Sequence, residues 1–343
     1  MMHDHFAPPP PPARRHLATL VDVTLRDGGF ETDFHWPAEL FAAVPRALGP
    51  LGVEIVELGY IGGVPLEHSV AGAGVGAHLT PAMVLGAAGD GTGPKLAAMI
   101  HPTALRSEID LAGYRSAGLG MVRLVYHPDW SLEIARIADR AQDAGLAVTV
   151  NIALASRYET GELVEHARRI ARSAEPDVLY IADTCGAFTP LATARACQAL
   201  SDALEVPLGF HAHDFLTLAY ANALTAVEHG AAYVDCSLLG LGRGGGNLQS
   251  ELVLANHRIR PCLDPDVFAR LEACRATLAE LAHRRCPDLV ALACGALNLT
   301  PVEESALRTF AEHKGIGLGE AAWWLLAAED LTAACAQLKA AAR

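Results

Sequence analysis

Two histidines, His211 and His213, give the strongest chemical signal in this sequence, at the end of the apolar run Val206–Phe210. Residues i and i+2 of a β-strand point to the same face, so both imidazoles can reach one metal ion. A buried histidine is often only a structural residue, and the pair therefore needs support from other parts of the chain.

Two further segments supply that support. Asp27 lies in the segment Val21–Gly29, and Asn247 ends the glycine-rich segment Gly240–Asn247. One carboxylate, two imidazoles and one amide oxygen form a mixed nitrogen and oxygen donor set. Such a set suits Mn²⁺, Mg²⁺ or Zn²⁺ and leaves positions for water or a chelating substrate. We therefore expect a metal-dependent active site.

Arg26 and Glu57 extend this site toward catalysis. A 2-oxo acid offers two oxygens to a metal, which polarises the carbonyl as a Lewis acid. When the neighbouring carbon–carbon bond breaks or forms, an enolate develops, and Arg26 can donate hydrogen bonds to its oxygen. We expect Glu57 to orient Arg26. The structural alternatives are an Arg26–Asp27 ion pair, a loop-supporting Glu57 and a core histidine at position 211.

These residues need a scaffold that brings distant segments together. Strand-like runs alternate with amphipathic segments, which predicts parallel strands joined by helices. Eight such units favour an α/β fold, the (β/α)8 TIM barrel, whose active sites lie at the C-terminal ends of the strands. A doubly wound open sheet is the alternative, although no Gly-x-Gly-x-x-Gly turn follows the first strand.

The element boundaries follow from the same patterns. The predicted strands cover residues 18–24, 53–59, 95–100, 121–126, 147–152, 178–182, 207–211 and 233–237. The predicted helices of the barrel cover residues 37–48, 104–117, 132–144, 161–173, 189–204, 216–229 and 247–258. Arg26 and Asp27, Glu57, and the histidine pair then fall at the ends of strands one, two and seven.

The chain is expected to divide into three parts. Residues 1–16 contain the run Pro8–Pro12 and predict a disordered, proline-rich tail. Residues 17–260 form the catalytic barrel, in which the glycine-rich segment 61–94 predicts a mobile lid or a partly ordered insertion. Residues 261–343 form a helical C-terminal region, with helices at 265–285, 302–313, 317–328 and 330–342.

Composition excludes several classes of partner. The chain has 343 residues, 51% of them hydrophobic, and its net charge of −13 would repel a nucleic-acid duplex or an anionic membrane surface. No apolar run is long enough to span a bilayer, and the N-terminus does not resemble a signal peptide. The eight cysteines include no Cys-x-x-Cys pair, which indicates reduced thiols and a cytoplasmic protein.

Five motifs occur in the order found in the DRE-TIM metallolyases, the HMG-CoA lyase-like superfamily, and the resemblance extends over roughly residues 18–260. The motifs are Thr24–Gly28, Val53–Gly59, Asp183–Gly186, His211–Asp214 with Leu218–Asn222, and Gly240–Asn247. The resemblance implies Asp27, His211 and His213 as metal ligands, with Asn247 as a fourth ligand or a near-ligand. It also implies that Arg26 is the catalytic arginine.

The resemblance implies a function as well. The family performs retro-aldol or Claisen-type chemistry through an enolate with a divalent metal, Mn²⁺ or Mg²⁺ foremost and Zn²⁺ or Co²⁺ as further options. The last loop is most similar to the 4-hydroxy-2-oxovalerate aldolase branch. The implied activity is a carbon–carbon lyase or aldolase that acts on a 4-hydroxy-2-oxo acid through a pyruvate enolate, in the cleavage or the condensation direction.

Three departures from the family pattern concern proton transfer. Phe30 stands where the pyruvate-forming aldolases place a histidine that serves as the base. The glutamine typical of acyl-CoA lyases and synthases is missing, as is the reactive cysteine of the lyase. Another group must therefore move the proton. The candidate replacements are His35, Tyr60, His101 and Tyr126, of which Tyr60 and His101 lie beside strand ends.

Two other functions stay open. An acyl-CoA-dependent Claisen condensing enzyme, similar to isopropylmalate or homocitrate synthase, or a 3-hydroxyacyl-CoA lyase would use related chemistry. A non-catalytic barrel that binds a metal or a small acid is the alternative from another class, and Phe30 keeps it open. The expected partners are small 2-oxo acid and aldehyde substrates, a second copy in a homo-oligomer, and an aldehyde-processing enzyme. Trp323 and Trp324 could anchor such a surface, with burial among the C-terminal helices as the favoured alternative.

Overall fold

The computed structural model describes residues 18–64, 72–104, 108–257, 265–282 and 288–341. Within these ranges eight parallel strands close into a barrel, in which each strand pairs with the next and the eighth pairs with the first. This confirms the (β/α)8 barrel over the open sheet. The strands are β1 Thr19–Asp22, β2 Ile55–Tyr60, β3 Lys95–Ile100, β4 Leu119–Tyr126, β5 Ala147–Ile152, β6 Val178–Asp183, β7 Leu208–Ala212 and β8 Ala231–Cys236.

The first strand ends two residues earlier than predicted. The carboxylate of Asp22 accepts hydrogen bonds from the backbone N–H of Thr24 at 3.1 Å and from its hydroxyl at 2.8 Å, which turns the chain out of the sheet. The backbone N–H of Asp27 then donates to the carbonyl of Val23 at 2.8 Å. Arg26 and Asp27 therefore lie in a turn beyond β1, and not at the end of the strand itself.

Helices connect the strands on the outside of the barrel. They are α1 Leu40–Leu48, α2 Pro81–Ala88, α3 Leu111–Ser116, α4 Ser131–Asp143, α5 Thr160–Ser173, α6 Pro190–Ala203, α7 Ala219–Glu228 and α8 Ser250–His257. The helix predicted from residue 104 begins only at Leu111, because the carboxylate of Asp110 caps it by accepting a hydrogen bond from the N–H of Gly113 at 2.9 Å.

The segment 61–94 is more structured than predicted. It contains α2 and a short 3-10 turn at Val75–Ala77, so its described residues include regular structure. The sequence PAMVLGAA of α2 is apolar all round and lacks the amphipathic pattern by which helices are recognised. Residues 65–71, with His68, and the tail 1–16 lie outside the described ranges, so the expectations of a lid and a disordered tail remain predictions.

The described C-terminal residues form further helices. They are α9 Pro265–Leu281, α10 Leu289–Leu297, α11 Pro301–Lys314, α12 Leu318–Leu326 and α13 Leu331–Ala341. α9 packs on the barrel, since Val267 and Leu278 belong to the barrel's core. α10 to α13 surround a second core, which includes Leu307 and receives Phe215 from the loop after β7. The short, uniformly apolar α10 was not predicted.

Side chains inside the barrel form layers that decide where its charges lie. The apolar layer consists of Val21, Val23, Ile55, Ala97 and Met121. Alternate residues of a strand share a face, so residues two positions beyond this layer also point into the barrel. Glu57 and Arg123 occupy such positions on β2 and β4, and Asp235 faces the same interior from β8. All three are fully buried or nearly so.

The two adjacent tryptophans of the C-terminal region differ in their surroundings. Trp323 is 71% exposed, so its expected burial is wrong, whereas Trp324 stacks on Phe310 with ring centroids 4.8 Å apart. Among the described residues, no helix combines the length and apolarity that crossing a bilayer requires. Six cysteines are buried free thiols, and Cys262 and Cys286 lie outside the described ranges.

Candidate metal centre and active site

The two histidines on β7 and just beyond it point their Nε2 atoms at each other. These atoms lie 3.4 Å apart. The Nδ1 atom of His211 lies 2.9 Å from a carboxylate oxygen of Asp235, and Nδ1 of His213 lies 3.2 Å from the carbonyl oxygen of Gly246. Because both Nδ1 atoms face acceptors, they carry the ring protons, and the Nε2 lone pairs are left for a shared ligand.

Asp27 completes a compact group of donors with this pair. One ligand atom from each of Asp27, His211 and His213 lies within 4.8 Å of the others, and all three residues are buried. Burial raises the pKa of Asp27, but Arg26 and the two histidines outweigh this effect, so its pKa lies well below the usual range. Burial also lowers the pKa of His213 to about 3, so this imidazole is neutral at physiological pH.

Asn247 contributes an amide oxygen to the same place. Its Nδ2 atom donates to Oδ2 of Asp27 at 2.7 Å and to the carbonyl of Leu241 at 3.0 Å. Its Oδ1 atom is buried and has no hydrogen-bond partner among the described residues. A buried carbonyl oxygen without a partner is costly, and a cation would satisfy it. The mixed nitrogen and oxygen donor set therefore fits a divalent metal cation.

The glycine-rich loop after β8 brings this asparagine into position. A Cβ atom at Gly242 would overlap the amide of Asn247 and lie 2.8 Å from Oδ2 of Asp27. Gly246 has φ of +81° and presents its carbonyl to His213. The backbone N–H groups of Gly246 and Asn247 donate to carbonyls within the loop, so these amides serve the turn rather than an anion.

A line of buried charges joins Arg26 to the metal-ligand candidates. Nε of Arg26 donates to Oε2 of Glu57 at 2.8 Å, and Arg26 also pairs with Asp27. Nη1 of Arg123 donates to the same Oε2 atom at 3.0 Å. Nη2 of Arg123 donates to Oδ2 of Asp235 at 2.7 Å, the atom that also contacts His211.

Arg123 and Asp235 were not predicted from the sequence as residues of the site. Each is the only charged residue of its strand, and neither lies in one of the five family motifs. The available signal was their position in the two-residue alternation of β4 and β8, which places both inside the barrel. A charge at such a position requires a buried partner.

Tyr60 and the aromatic residues near it form one wall beside Arg26. The rings of Phe30 and Phe34 lie 6.3 Å and 5.7 Å from that of Tyr60. Burial raises the pKa of Tyr60, although the Arg26 guanidinium works against this shift. Tyr60 therefore keeps its proton at neutral pH and is available to donate a hydrogen bond. Phe30 is part of this wall and has no titratable group.

The other candidates for proton transfer differ in the direction in which their side chains point. His101 follows Ala97 and Met99 at two-residue intervals and so faces the barrel's mouth. Its Nδ1 atom lies 2.8 Å from the hydroxyl of Thr103, and its ring packs edgewise on Trp130. The alternation of β4 points Tyr126 outward, where its hydroxyl meets His166 at 3.3 Å. His35 is exposed. Tyr126 therefore points away from the barrel's interior, and His35 lies at the surface.

The fold and this donor set define a class: parallel barrel enzymes with donors for a divalent cation at the C-terminal mouth. The HMGL-like family model matches residues 18–277, and the chain belongs to this family. It is an aldolase- or lyase-type enzyme.

Known proteins resemble the chain in sequence and in fold. It is 32% identical over 237 residues to 4-hydroxy-2-oxovalerate aldolase 2 of Nocardia farcinica, covering 69% of this chain and 67% of that protein. It is also 32% identical over 238 residues to oxaloacetate decarboxylase of Mycobacterium tuberculosis, covering 69% and 68%. The N-terminal domain of a Bacteroides vulgatus protein assigned as an aldolase superposes with a TM-score of 0.72 at 24% identity, covering 86% and 98%. This last likeness concerns the fold alone.

Proposed function

We propose that this enzyme is a divalent-metal-dependent aldolase that cleaves a 4-hydroxy-2-oxo acid to pyruvate and an aldehyde, or runs the reverse condensation. The observation that carries the proposal is the convergence of Asp27, His211, His213 and the unpartnered Oδ1 atom of Asn247 beside Arg26. The relative named 4-hydroxy-2-oxovalerate aldolase supports the substrate class. Mn²⁺ or Mg²⁺ is the proposed cofactor.

The residues divide the work of this reaction. A bound divalent ion would supply Lewis-acid polarisation of the substrate's 2-oxo group. Burial opposes the charge of Arg26, but Glu57 and Asp27 raise its pKa well above the ordinary value, so Arg26 remains a cation. It retains N–H groups beyond those given to Glu57 and Asp27, and these stabilise the enolate oxygen after the C3–C4 bond breaks.

Proton transfer is assigned to the mouth of the barrel. Cleavage requires removal of the proton from the 4-hydroxyl, and Phe30 cannot accept it. Tyr60 holds its own proton too firmly to be a base, so we assign it hydrogen-bond donation beside Arg26. His101 faces the mouth from β3 and is the proposed general base.

The cellular setting is part of the proposal. Buried free thiols at six positions support a reducing compartment, and we propose the cytoplasm. Cleavage releases an aldehyde, so an aldehyde-processing enzyme is a reasonable partner, and the exposed Trp323 is an apolar side chain for contact with it or with a second copy of the chain.

The test is pyruvate release from 4-hydroxy-2-oxo acids by the Mn²⁺-loaded enzyme, followed with lactate dehydrogenase and NADH. Asp27→Asn removes the anionic donor and should lower kcat/KM by more than about 100-fold together with the bound metal. Asp143→Asn, at an exposed position at the end of α4, is the matched control. Wild-type turnover and metal content in Asp27→Asn would overturn the proposal.

A second candidate is decarboxylation of oxaloacetate. The observation that favours it is the apolar packing of Phe30 against Phe34 and near Tyr60, where the family aldolases have their base. Loss of CO₂ leaves the electron pair on the same pyruvate enolate, which then takes a proton at C3, and no substrate proton has to be removed first. One relative carries the name oxaloacetate decarboxylase.

The two candidates respond differently to one substitution. His101→Ala should abolish aldol cleavage, which needs a base, and should leave decarboxylation within about threefold of the wild type. Both activities should be measured on the same Mn²⁺-loaded preparations, with metal-catalysed decarboxylation in the absence of enzyme subtracted. A wild-type enzyme that decarboxylates oxaloacetate but cleaves no 4-hydroxy-2-oxo acid would select the second function.

A further inference from the structure

Arg123 is a positively charged residue buried in the interior of the barrel. It lies on β4 with 0% exposure, and its guanidinium stacks over the ring of Tyr180 at 4.5 Å from the centroid. Tyr180 in turn covers Gly209, where a Cβ atom would overlap the tyrosine ring. Tyr180 on β6, which packs against Gly209 on β7, therefore fixes the position of the Arg123 side chain. A charge this deep is retained only where its partners offset the loss of water.

The partners of Arg123 are the two carboxylates that hold the site's working groups. Glu57 receives Arg123 at 3.0 Å and Arg26 at 2.8 Å on the same oxygen, Oε2. Asp235 receives Arg123 at 2.7 Å and contacts His211 at 2.9 Å, again through one oxygen, Oδ2. The other oxygens, Oε1 and Oδ1, have no hydrogen-bond partner among the described residues.

This choice of oxygen has an orienting effect. A free carboxylate can turn about its bond to the side chain and offer either oxygen. The planar guanidinium fixes both carboxylates at once, because its two Nη atoms each engage one of them. Glu57 thereby holds Nε of Arg26, and Asp235 holds the Nδ1 proton of His211, which leaves Nε2 of that histidine facing the donor group.

The balance of buried charges also supports an orienting role for Arg123. Asp27, Glu57 and Asp235 supply three negative charges, and Arg26 and Arg123 supply two positive ones. Without Arg123 the excess would grow from one buried carboxylate to two, and Glu57 and Asp235 would lose their common counter-ion.

We propose that Arg123 is a positioning residue that sets both halves of the site, the Arg26 side through Glu57 and the His211 side through Asp235. It acts through these carboxylates and touches neither substrate nor metal. The role in orienting His211 stands on the geometry alone, whereas the role in orienting Arg26 during turnover rests on the proposed function.

The first test needs no metal and no substrate. In the apo protein, imidazole ¹⁵N–¹H correlation spectra should show His211 protonated at Nδ1, with assignment by loss of the signal in His211→Asn. Arg123→Met keeps the length and apolar stem of the side chain and removes its hydrogen bonds. It should populate the Nε2-protonated form of His211, while circular dichroism confirms folding. Unchanged His211 signals in folded Arg123→Met would overturn the proposal.

The second test measures the ligand geometry with Co²⁺, whose visible absorption reports its donors. Arg123→Met and Asp235→Asn should each weaken Co²⁺ binding by about 10-fold to 100-fold and alter the spectrum. Their effects should not add in the double variant, since both act on the same hydrogen bond.

Controls and a milder variant keep the outcome decisive. Arg136→Met removes an exposed α4 arginine that pairs with the nearby Glu133 and should change neither readout. Should Arg123→Met fail to fold, Arg123→Lys retains the charge but lacks the planar pair of Nη groups that fixes both carboxylates, and it should shift the His211 signals and the Co²⁺ affinity in the same direction. Wild-type protein that binds no Co²⁺ would refute the proposed metal function, whereas the apo imidazole spectra would still decide the role of Arg123.

Discussion

Gly242 shows at the scale of one residue how little room the metal-ligand candidates leave. The space that a side chain would take is filled by the amide of Asn247 and the carboxylate of Asp27. These two groups are joined by a hydrogen bond of 2.7 Å. The absence of a side chain at this position is therefore a condition for the geometry of the donors rather than for the turn alone.

Replacing this glycine should affect binding more than folding. In Gly242→Ala the new methyl group would displace Asn247 or Asp27, so Mn²⁺ affinity measured by calorimetry should fall by about 10-fold or more. The melting temperature of the apo protein should move by only a few degrees. Gly161→Ala is the control, since a Cβ atom there meets nothing within 4 Å. Equal Mn²⁺ affinity in the two variants would contradict this account.

The residues of the candidate site differ in how well sequence could predict them. His211 and His213 share one strand face, and Asp27 and Asn247 lie in recognisable motifs, so a metal site was predictable as a hypothesis. The orientation of the His211 imidazole was not, because it depends on Asp235, which lies on another strand. Long-range hydrogen bonds of this kind follow from barrel closure and leave no local pattern.

Among the elements, the glycine-rich loop after β8 is attached to a helix outside the barrel. Nη1 of Arg243 donates to Glu304 on α11 at 3.0 Å, and Nη2 donates to the carbonyl of Thr184 after β6 at 2.6 Å. The guanidinium also lies over the ring of Phe215. A single side chain thus joins the loop that carries Asn247 to the C-terminal helices.

Removing this side chain should loosen the loop without unfolding the barrel. In Arg243→Ala, hydrogen–deuterium exchange should rise in residues 240–248, because the loop loses two hydrogen bonds, one of which is the ion pair with Glu304. The free energy of unfolding should fall by about 1–3 kcal/mol. Arg168→Ala removes an exposed arginine of α5 paired with Glu165 and should leave this exchange unchanged. Unaltered exchange in Arg243→Ala would show that Arg243 does not restrain the loop.

Elements were predictable to the extent that their patterns were distinctive. Strands β3 and β5 have the predicted bounds, because their apolar runs are flanked by clear breaks. α2 and α10 were missed, since a short helix that is apolar all round has no periodicity to recognise. The late start of α3 depended on capping by Asp110, a local choice among several polar residues.

At the scale of the whole molecule, two cores meet across polar contacts. The side chain of Asn298, at the end of α10, exchanges hydrogen bonds of 2.8 and 2.7 Å with the hydroxyl and carbonyl of Ser156. The carbonyl of Asn298 accepts from Arg157 at 2.5 Å. A helical C-terminal region was predictable from composition, but its docking on the β5 loop was not, because one asparagine carries no sequence signal for a distant partner.

The stability of the molecule should depend on pH through a carboxyl group away from the site. Burial raises the pKa of Asp22 to about 7, although Thr24 and Ser250 donate hydrogen bonds to it. A folded-state pKa above the unfolded value means that the folded chain binds more protons between about pH 4 and pH 7. Its contribution to stability is therefore present at low pH and is lost as pH rises through 7.

Asp22→Asn should remove this dependence. The variant should gain stability relative to the wild type between pH 5 and pH 8, by up to about 3 kcal/mol, as measured by urea unfolding at both pH values with chelator present. The exposed Asp143→Asn should show the wild-type dependence. An Asp22→Asn variant whose unfolding free energy falls from pH 5 to pH 8 as steeply as the wild type would disprove this assignment.

The charge line from Arg26 to His211 also bears on how such an enzyme diversifies. Glu57, Arg123 and Asp235 each have two partners within this line. A substitution at one of them during evolution would therefore leave another buried charge without a partner. The rim residues Phe30 and His101 are not bound by that constraint. New substrate preferences would therefore arise by single steps at the rim, while the interior is inherited as one unit.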